Sequence, residues 1–165
     1  VYRAAEVLGA GRFDLVYTGV GALCWLPSVA RWAAVVAELL RPGGRLFIRE
    51  GHPMLWALDE TADPATLGYP YFEHDEPLVF DEPKTYADPD AVLTHSVTYS
   101  WNHGLGEIVT AVMSAGLRLT QLVEHDSVPW LALPGQMTAD DMGEWRLSTQ
   151  PERLAASYTL QAVKD

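Results

Sequence analysis

The sequence predicts an α/β domain built around a parallel β-α-β unit. Three observations predict it. A short apolar run, Phe13 to Thr18, ends in Gly19-Val20-Gly21. Apolar residues then repeat with helical period. A second apolar run, Arg45 to Glu50, follows the breaker Pro42-Gly43-Gly44. A near-continuous apolar run of this length reads as a strand covered on both faces, as in a parallel sheet. In the helix, Pro27 suits the first position, where its missing N–H has no partner to lose. Val29, Trp32, Ala33, Val36, Leu39 and Leu40 form one stripe. Arg41 stands where the helix dipole favours a cation, and Pro42-Gly43-Gly44 stops the helix. Strand, helix, strand with short links requires a parallel pair with a right-handed crossover.

Residues 54–101 differ in character. They carry Pro64, Pro70, Pro77, Pro83 and Pro89, many acids, and Trp56, Tyr69, Tyr71, Phe72, Phe80, Tyr86, Tyr99 and Trp101, with no helical period. Leu78 to Phe80 and Leu93 to Trp101 are expected as antiparallel strands, with Val97, Tyr99 and Trp101 on a buried face. The segment is read as an aromatic-rich insertion folding over the domain, because a linker would not expose so many rings to water. A helix is expected from His103 to Ala115, with Asn102 as N-cap, Leu105, Ile108, Val109, Val112 and Met113 on one face, and Gly116 just past its end. Leu117 to Glu124 alternates as a strand, 128–150 reads as irregular, and Leu154 to Val163 contains the final strand.

Composition bounds the function. The 165 residues fit one domain, and 48% hydrophobic with 20% charged residues is ordinary for a globular chain. The net charge of −11 disfavours nucleic acid and anionic membranes, and favours an uncharged or cationic small molecule. There is no membrane-length apolar run and no signal-peptide pattern, and the single cysteine, Cys24, cannot form an internal disulfide; the cytoplasm is the expected compartment. Cys24 lies in an apolar run, where a packed residue competes with a reactive thiol.

The common nucleotide, hydrolase and metalloprotease motifs are missing, and the five histidines lack metal-ligand spacing, so no metal is expected. Geometry remains. Ligands of open α/β sheets bind at the carboxyl ends of the strands. Those ends are Thr18 to Leu23 and Glu50-Gly51-His52-Pro53. The glycines after Thr18 either let a ligand approach the backbone or make the turn.

The run from Phe13 to Thr18, the helix, and Leu40-Arg41-Pro42-Gly43-Gly44-Arg45-Leu46-Phe47-Ile48 resemble the fourth strand, fourth helix and fifth strand of class I S-adenosylmethionine-dependent methyltransferases. The later order, a helix with Ala115-Gly116-Leu117, a strand, a loop and a final strand, resembles that family as well. The resemblance implies a partial doubly wound, Rossmann-like sheet. Its strands would be equivalent to 4-5-7-6, with the last strand antiparallel. Residues 1–165 would form a single incomplete domain, with 54–101 as its cap. The family's glycine-rich loop, ribose-binding acid and adenine-binding acid have no counterpart here, so the chain is expected to begin in mid-domain at Val1-Tyr2. It is then expected to bind S-adenosylmethionine only with its missing N-terminal half.

The resemblance implies that Thr18, Gly19 and Val20 lie beneath the methionine end of the cofactor, with Trp25 and Leu26 as pocket wall. Tyr2 packs near adenine or in the core. His52 is the candidate base or else fixes the turn before Pro53, and Glu50 is read as structural. Trp56, Tyr69, Tyr71 and Tyr99 line a pocket for a small-molecule acceptor or form the core of the insertion. The fourth strand's uncovered edge makes a homodimer, or a non-catalytic self-associating remnant, the rival reading.

Overall fold

A computed structural model of the chain describes residues 1–72, 74–81, 83 and 92–165. Tyr86 and Pro89, named above as part of the insertion, lie outside the described residues. A single helical turn, α1 (Ala4–Leu8), precedes the first strand, β1 (Phe13–Thr18). The long helix α2 (Val29–Leu39) leads into β2 (Leu40–Gly51). A short turn, α3 (Pro53–Trp56), and two small pairs follow: β3 (Leu58–Asp59) with β4 (Thr66–Leu67), and β5 (Leu78–Asp81) with β6 (Val97–Ser100). Then come α4 (Leu105–Ser114), β7 (Leu117–His125), β8 (Ser127–Val128), β9 (Met137–Ala139), β10 (Trp145–Leu147) and β11 (Ser157–Lys164).

The main sheet has the order β1-β2-β11-β7. β1 and β2 are parallel, with Val16 opposite Leu46 and Thr18 opposite Ile48. β11 runs antiparallel to both of its neighbours, setting Tyr158 opposite Glu50 and Glu124. The sheet is therefore mixed. Both long helices pack on one face: Val29, Trp32, Val36, Ile108 and Val112 enclose a core with Leu46, Ile48, Tyr158 and Leu160.

The β-α-β unit forms, with corrected details. Pro27 lies outside α2, and Ser28 is its N-cap, its side chain accepting a hydrogen bond from the Arg31 N–H. The helix ends at Leu39, before Pro42. Leu40 is already extended and pairs with Phe13, and the strand carries Pro42-Gly43-Gly44 as an irregularity between paired residues. Arg41 thus misses the helix end and pairs instead with Asp14, Nε to Oδ1 at 2.6 Å. The cation at the α2 terminus is Lys164, whose Nζ donates to the carbonyls of Ala37 at 2.6 Å and Leu40 at 2.8 Å.

β1 is not covered on both faces. It is the edge strand, and on the face away from the helices Leu15 is 53% and Tyr17 61% exposed. Tyr17 stacks on Phe47 there, ring centres 5.9 Å apart.

In the insertion, the expected hairpin pairs antiparallel but faces the other way. Val97 and Tyr99 are exposed, while Thr98 and Ser100 turn inward opposite Phe80 and Leu78, which supply the apolar contacts of the inner face. α4 starts at Leu105, not His103, with Gly104 rather than Asn102 as N-cap, and Met113 is exposed. Gly116 sits past the helix end with φ +83°, a conformation that favours glycine.

Residues 128–150 are not irregular throughout. β8, β10 and β9 form a small antiparallel sheet, and a second core of Leu55, Val128, Leu133, Met137 and Leu154 packs beside it. Arg49 joins this sheet to the main one through Glu144 at 3.2 Å.

Candidate functional site at the carboxyl edge of the sheet

The parallel pair β1 and β2 brings the loop after Thr18 and the turn after Glu50 to one edge. Glu50 ties them together. Its buried carboxylate accepts N–H bonds from Gly21, from Ala22 at 2.9 Å, from Leu23 at 3.1 Å and from Gly51 at 2.9 Å. Successive backbone N–H groups converging on one anion form a nest, here filled by the protein's own side chain. Gly21, with φ +77°, supplies the turn that aims them. The structural part expected of Glu50 is therefore specific: it holds the loop between Thr18 and Cys24.

Cys24 follows in a 3-10 turn, its Sγ 3.7 Å from the Gly21 carbonyl. Burial, and then the Glu50 charge, push its thiol up to about 12. That favours the packed residue over the reactive thiol, since the thiolate is the nucleophile. Tyr158 lies beneath the same carboxylate, fully buried, its hydroxyl without a protein partner. Burial and the Glu50 charge raise its pKa well above the ordinary value.

His52 caps α3. Its Nδ1 accepts the Met54 N–H at 3.0 Å, which places the neutral ring's proton on Nε2. Nε2 lies 3.0 Å from Glu124 Oε1, bent away from a straight hydrogen bond. Burial lowers the His52 pKa, and Glu124 opposes that shift. Nδ1 is thus engaged in fixing the turn before Pro53, while Nε2 faces Glu124 on β7.

Among the other expected residues, Thr18 is buried and Gly19 and Val20 are half-buried on the loop itself. Leu26 packs against the main core, whereas Trp25 is half exposed. The Tyr2 hydroxyl donates to the Ser28 carbonyl at 3.2 Å and accepts the Ser28 N–H at 2.8 Å, while the Arg31 guanidinium sits 4.1 Å from its ring centre. Tyr2 therefore anchors the start of α2.

The four aromatics expected around an acceptor occupy separate places. Trp56 stacks on Trp130 at 5.6 Å, Tyr69 meets Phe80 edge-on at 5.7 Å, and Tyr99 lies on the outer face of the hairpin. Tyr71 packs on Phe72 at 5.1 Å, and its hydroxyl accepts the Leu105 N–H at 3.3 Å.

Residues expected in the hairpin and at the start of α4 instead draw the insertion onto this edge. The Trp101 N–H donates to the Cys24 carbonyl at 2.9 Å, and His103 Nε2 reaches the Leu26 carbonyl at 2.6 Å. Asn102 Nδ2 donates to the carbonyls of Pro53 at 3.0 Å and Pro70 at 2.9 Å. Their adjacency in Trp101-Asn102-His103 is the sequence signal, and it suggests a strand end, a helix N-cap and a helix start rather than this junction. Among the described residues no group of His, Cys, Asp or Glu could hold a metal ion, and no helix is long and apolar enough to cross a membrane.

No family model matches this chain, and no curated protein does. Solved structures do. A protein from Listeria monocytogenes assigned as an S-adenosylmethionine-dependent methyltransferase superposes with a TM-score of 0.59 at 12% identity, over 94% of this chain and 63% of its own. An S-adenosylmethionine-dependent methyltransferase from Mesorhizobium loti gives 0.57 at 19% identity, with the same coverage. The chain spans less than two thirds of the length of either. At these identities the likeness speaks for the fold: this chain has the α/β fold of part of an S-adenosylmethionine-dependent methyltransferase.

Proposed function

We propose that the chain is the C-terminal portion of a small-molecule methyltransferase using S-adenosylmethionine, and that alone it supplies one wall of the cofactor cleft. On this reading β1, β2, β11 and β7 are equivalent to the family's strands 4, 5, 7 and 6. The observation that carries the proposal is the grip of Glu50 on the loop from Gly21 to Leu23, at the edge where such sheets bind ligands. The fold shared over 94% of this chain supports it.

The residues present suit one end of the cofactor. Glu50 places a negative charge beneath the loop, Trp25 presents a half-exposed indole, and no Lys or Arg occurs in 18–27 or 50–56. That environment favours a sulfonium cation over an anion. When bound, S-adenosylmethionine supplies a methyl carbon for an acceptor lone pair to attack in line with the sulfur. Thr18, Gly19 and Val20 would line its methionine end, Trp25 and Leu26 the wall, and Tyr2 the adenine side. The insertion, pinned through Trp101 and His103, would cover the edge and exclude water. Trp56, Tyr69, Tyr71 and Tyr99 belong to that cover. His52 would act as base only if Met54 releases Nδ1; in the present geometry it positions the turn after β2.

The test is calorimetric titration of S-adenosylmethionine into the 165-residue chain and into a chain extended upstream. Binding by the extended chain alone is expected. Binding by neither overturns the methyltransferase reading, and micromolar binding by the short chain overturns the division of the cleft. His52→Ala in the extended chain tests the histidine: unchanged turnover removes it from the chemistry.

A second reading rests on the exposure of Leu15 and Tyr17 on an edge strand. An unpaired apolar edge recruits another strand, and a second copy supplies one by symmetry. Sedimentation of the chain and of Leu15→Lys distinguishes the two. A dimer abolished by the lysine supports self-association, and a monomer at all concentrations removes it.

A further inference from the structure

The turn α3 carries the chain from β2 into the insertion. The His52 N–H donates to the Ala156 carbonyl at 2.9 Å, and the His52 carbonyl accepts the Leu55 N–H at 2.9 Å. The Met54 N–H donates to His52 Nδ1 at 3.0 Å. Past the end of α3, the Ala57 carbonyl accepts N–H bonds from Gly68 at 3.0 Å and Tyr69 at 3.1 Å. Asn102 adds its bond to the Pro53 carbonyl. α3 is thus the joint that fastens the base of the insertion to the sheet.

The group that caps this joint is one that titrates. A neutral imidazole accepts at one nitrogen and donates at the other, whereas an imidazolium only donates. A proton on Nδ1 turns the acceptor of the Met54 N–H into a second donor, and turning the ring over brings a carbon to the same place. The groups around the ring offer no replacement. Glu124 of β7 faces Nε2 and favours the charged ring, but it lies on the side away from Nδ1. Tyr158 of β11 meets the ring edge-on, centres 6.2 Å apart, and Glu50 of β2 spends its carboxylate on the loop N–H groups. Burial holds the closed ring below the ordinary 6.5. An open turn is free of that burial, so opening gains up to about tenfold per pH unit below that value.

We propose that His52 is an acid-sensitive latch on this joint: a proton on Nδ1 releases the Met54 N–H, opens α3 and loosens the base of the insertion from the carboxyl edge. The latch does not depend on the methyltransferase reading. Trp101 still pins the other end of the insertion at the Cys24 carbonyl, so the cover opens on one side only.

Amide hydrogen exchange is followed by NMR on the 165-residue chain from about pH 7 to about pH 5, expressed as protection factors so that the intrinsic pH dependence of exchange is divided out. Protection of Met54, Gly68 and Tyr69 is expected to fall together, about tenfold per pH unit below about 6.5, while Leu160 in the centre of the sheet stays better protected throughout. His52→Asn supplies a side-chain oxygen that caps without titrating, and it should flatten the Met54 profile with protection kept. His52→Gln, which also lacks the titrating ring, should give an equally flat profile from a lower starting protection. Met54 protection that does not fall with acid, that equals Leu160 protection at every pH, or that falls as steeply in either variant overturns the latch. Gly68 and Tyr69 amides that stay protected while Met54 opens overturn its link to the insertion. The criteria on the native chain hold whether or not the variants fold.

Discussion

Replacing Glu50 with alanine tests whether one buried carboxylate organises the carboxyl edge. Four N–H groups lose their acceptor. Those of Leu23 and Gly51 are buried, and those of Gly21 and Ala22 are partly buried, so water can reach the latter pair. At about 1–3 kcal/mol for each buried donor left unsatisfied, plus a smaller loss for the other two, the substitution should cost about 3–5 kcal/mol. That is a large share of the roughly 5–15 kcal/mol that holds a domain together. Urea denaturation gives the free energy, and a melting temperature lowered by about 10 °C or more should accompany it. Hydrogen exchange adds site resolution: the Gly21, Ala22 and Leu23 amides should lose protection before the strands do. Glu50→Gln keeps one acceptor oxygen but turns an NH₂ toward the remaining donors, and should fall between alanine and the native protein. An alanine variant within about 1 kcal/mol of the native chain, with those amides still protected, would refute the account of the loop, because that loss is below a single buried orphan donor.

Gly44→Ala should destabilise the fold by about 1–3 kcal/mol, because the added carbon would sit 2.8 Å from the Arg41 carbonyl oxygen and 2.9 Å from that of Phe13, neither of which can swing aside; an unchanged thermal melt would contradict the geometry between β1 and β2. Acidification should weaken the chain. Burial holds His52 and His125 below the ordinary 6.5, so the unfolded chain takes up protons first and stability falls as pH drops below that value; His52→Gln should flatten the profile of melting temperature against pH, and an unchanged slope would count against it. Cys24, held at about 12, should resist alkylation at pH 8 in the native chain and react promptly in urea, as mass spectrometry would show; fast native labelling would contradict its burial.

What the residues alone reveal is local and strongly punctuated. The β-α-β unit was visible because Phe13 to Thr18 and Arg45 to Glu50 are apolar runs separated by one clear helical stripe. Gly116 was visible because glycine is the usual answer to a positive φ after a helix. Other features depend on partners far along the chain. Nothing near α2 reveals that Lys164 caps it, since 124 residues separate that lysine from Leu40. The strands β8, β9 and β10 have two or three residues each, too few to show a period. The hairpin was read with the wrong face inward because Val97 and Tyr99 are the more apolar set, yet Leu78 and Phe80 across the ladder already fill the inner side. For the site, the strand ends were foreseen, and so was a structural part for Glu50. Its four donors were not, because three of them lie 27–29 residues away.

The last strand is also an interior one. Because β11 separates β2 from β7, β2 lacks its second ladder partner and β7 its only one in this sheet until residues 157–164 are in place. The earlier β-α-β unit and the α4–β7 segment therefore have to wait side by side with their pairing edges bare until residues 157–164 are made, so closure of the sheet is late in chain order and rich in long-range contacts. Removing residues 157–164 would therefore not trim the sheet at its margin; it would divide it down the middle and release the α2 carbonyls at the same stroke.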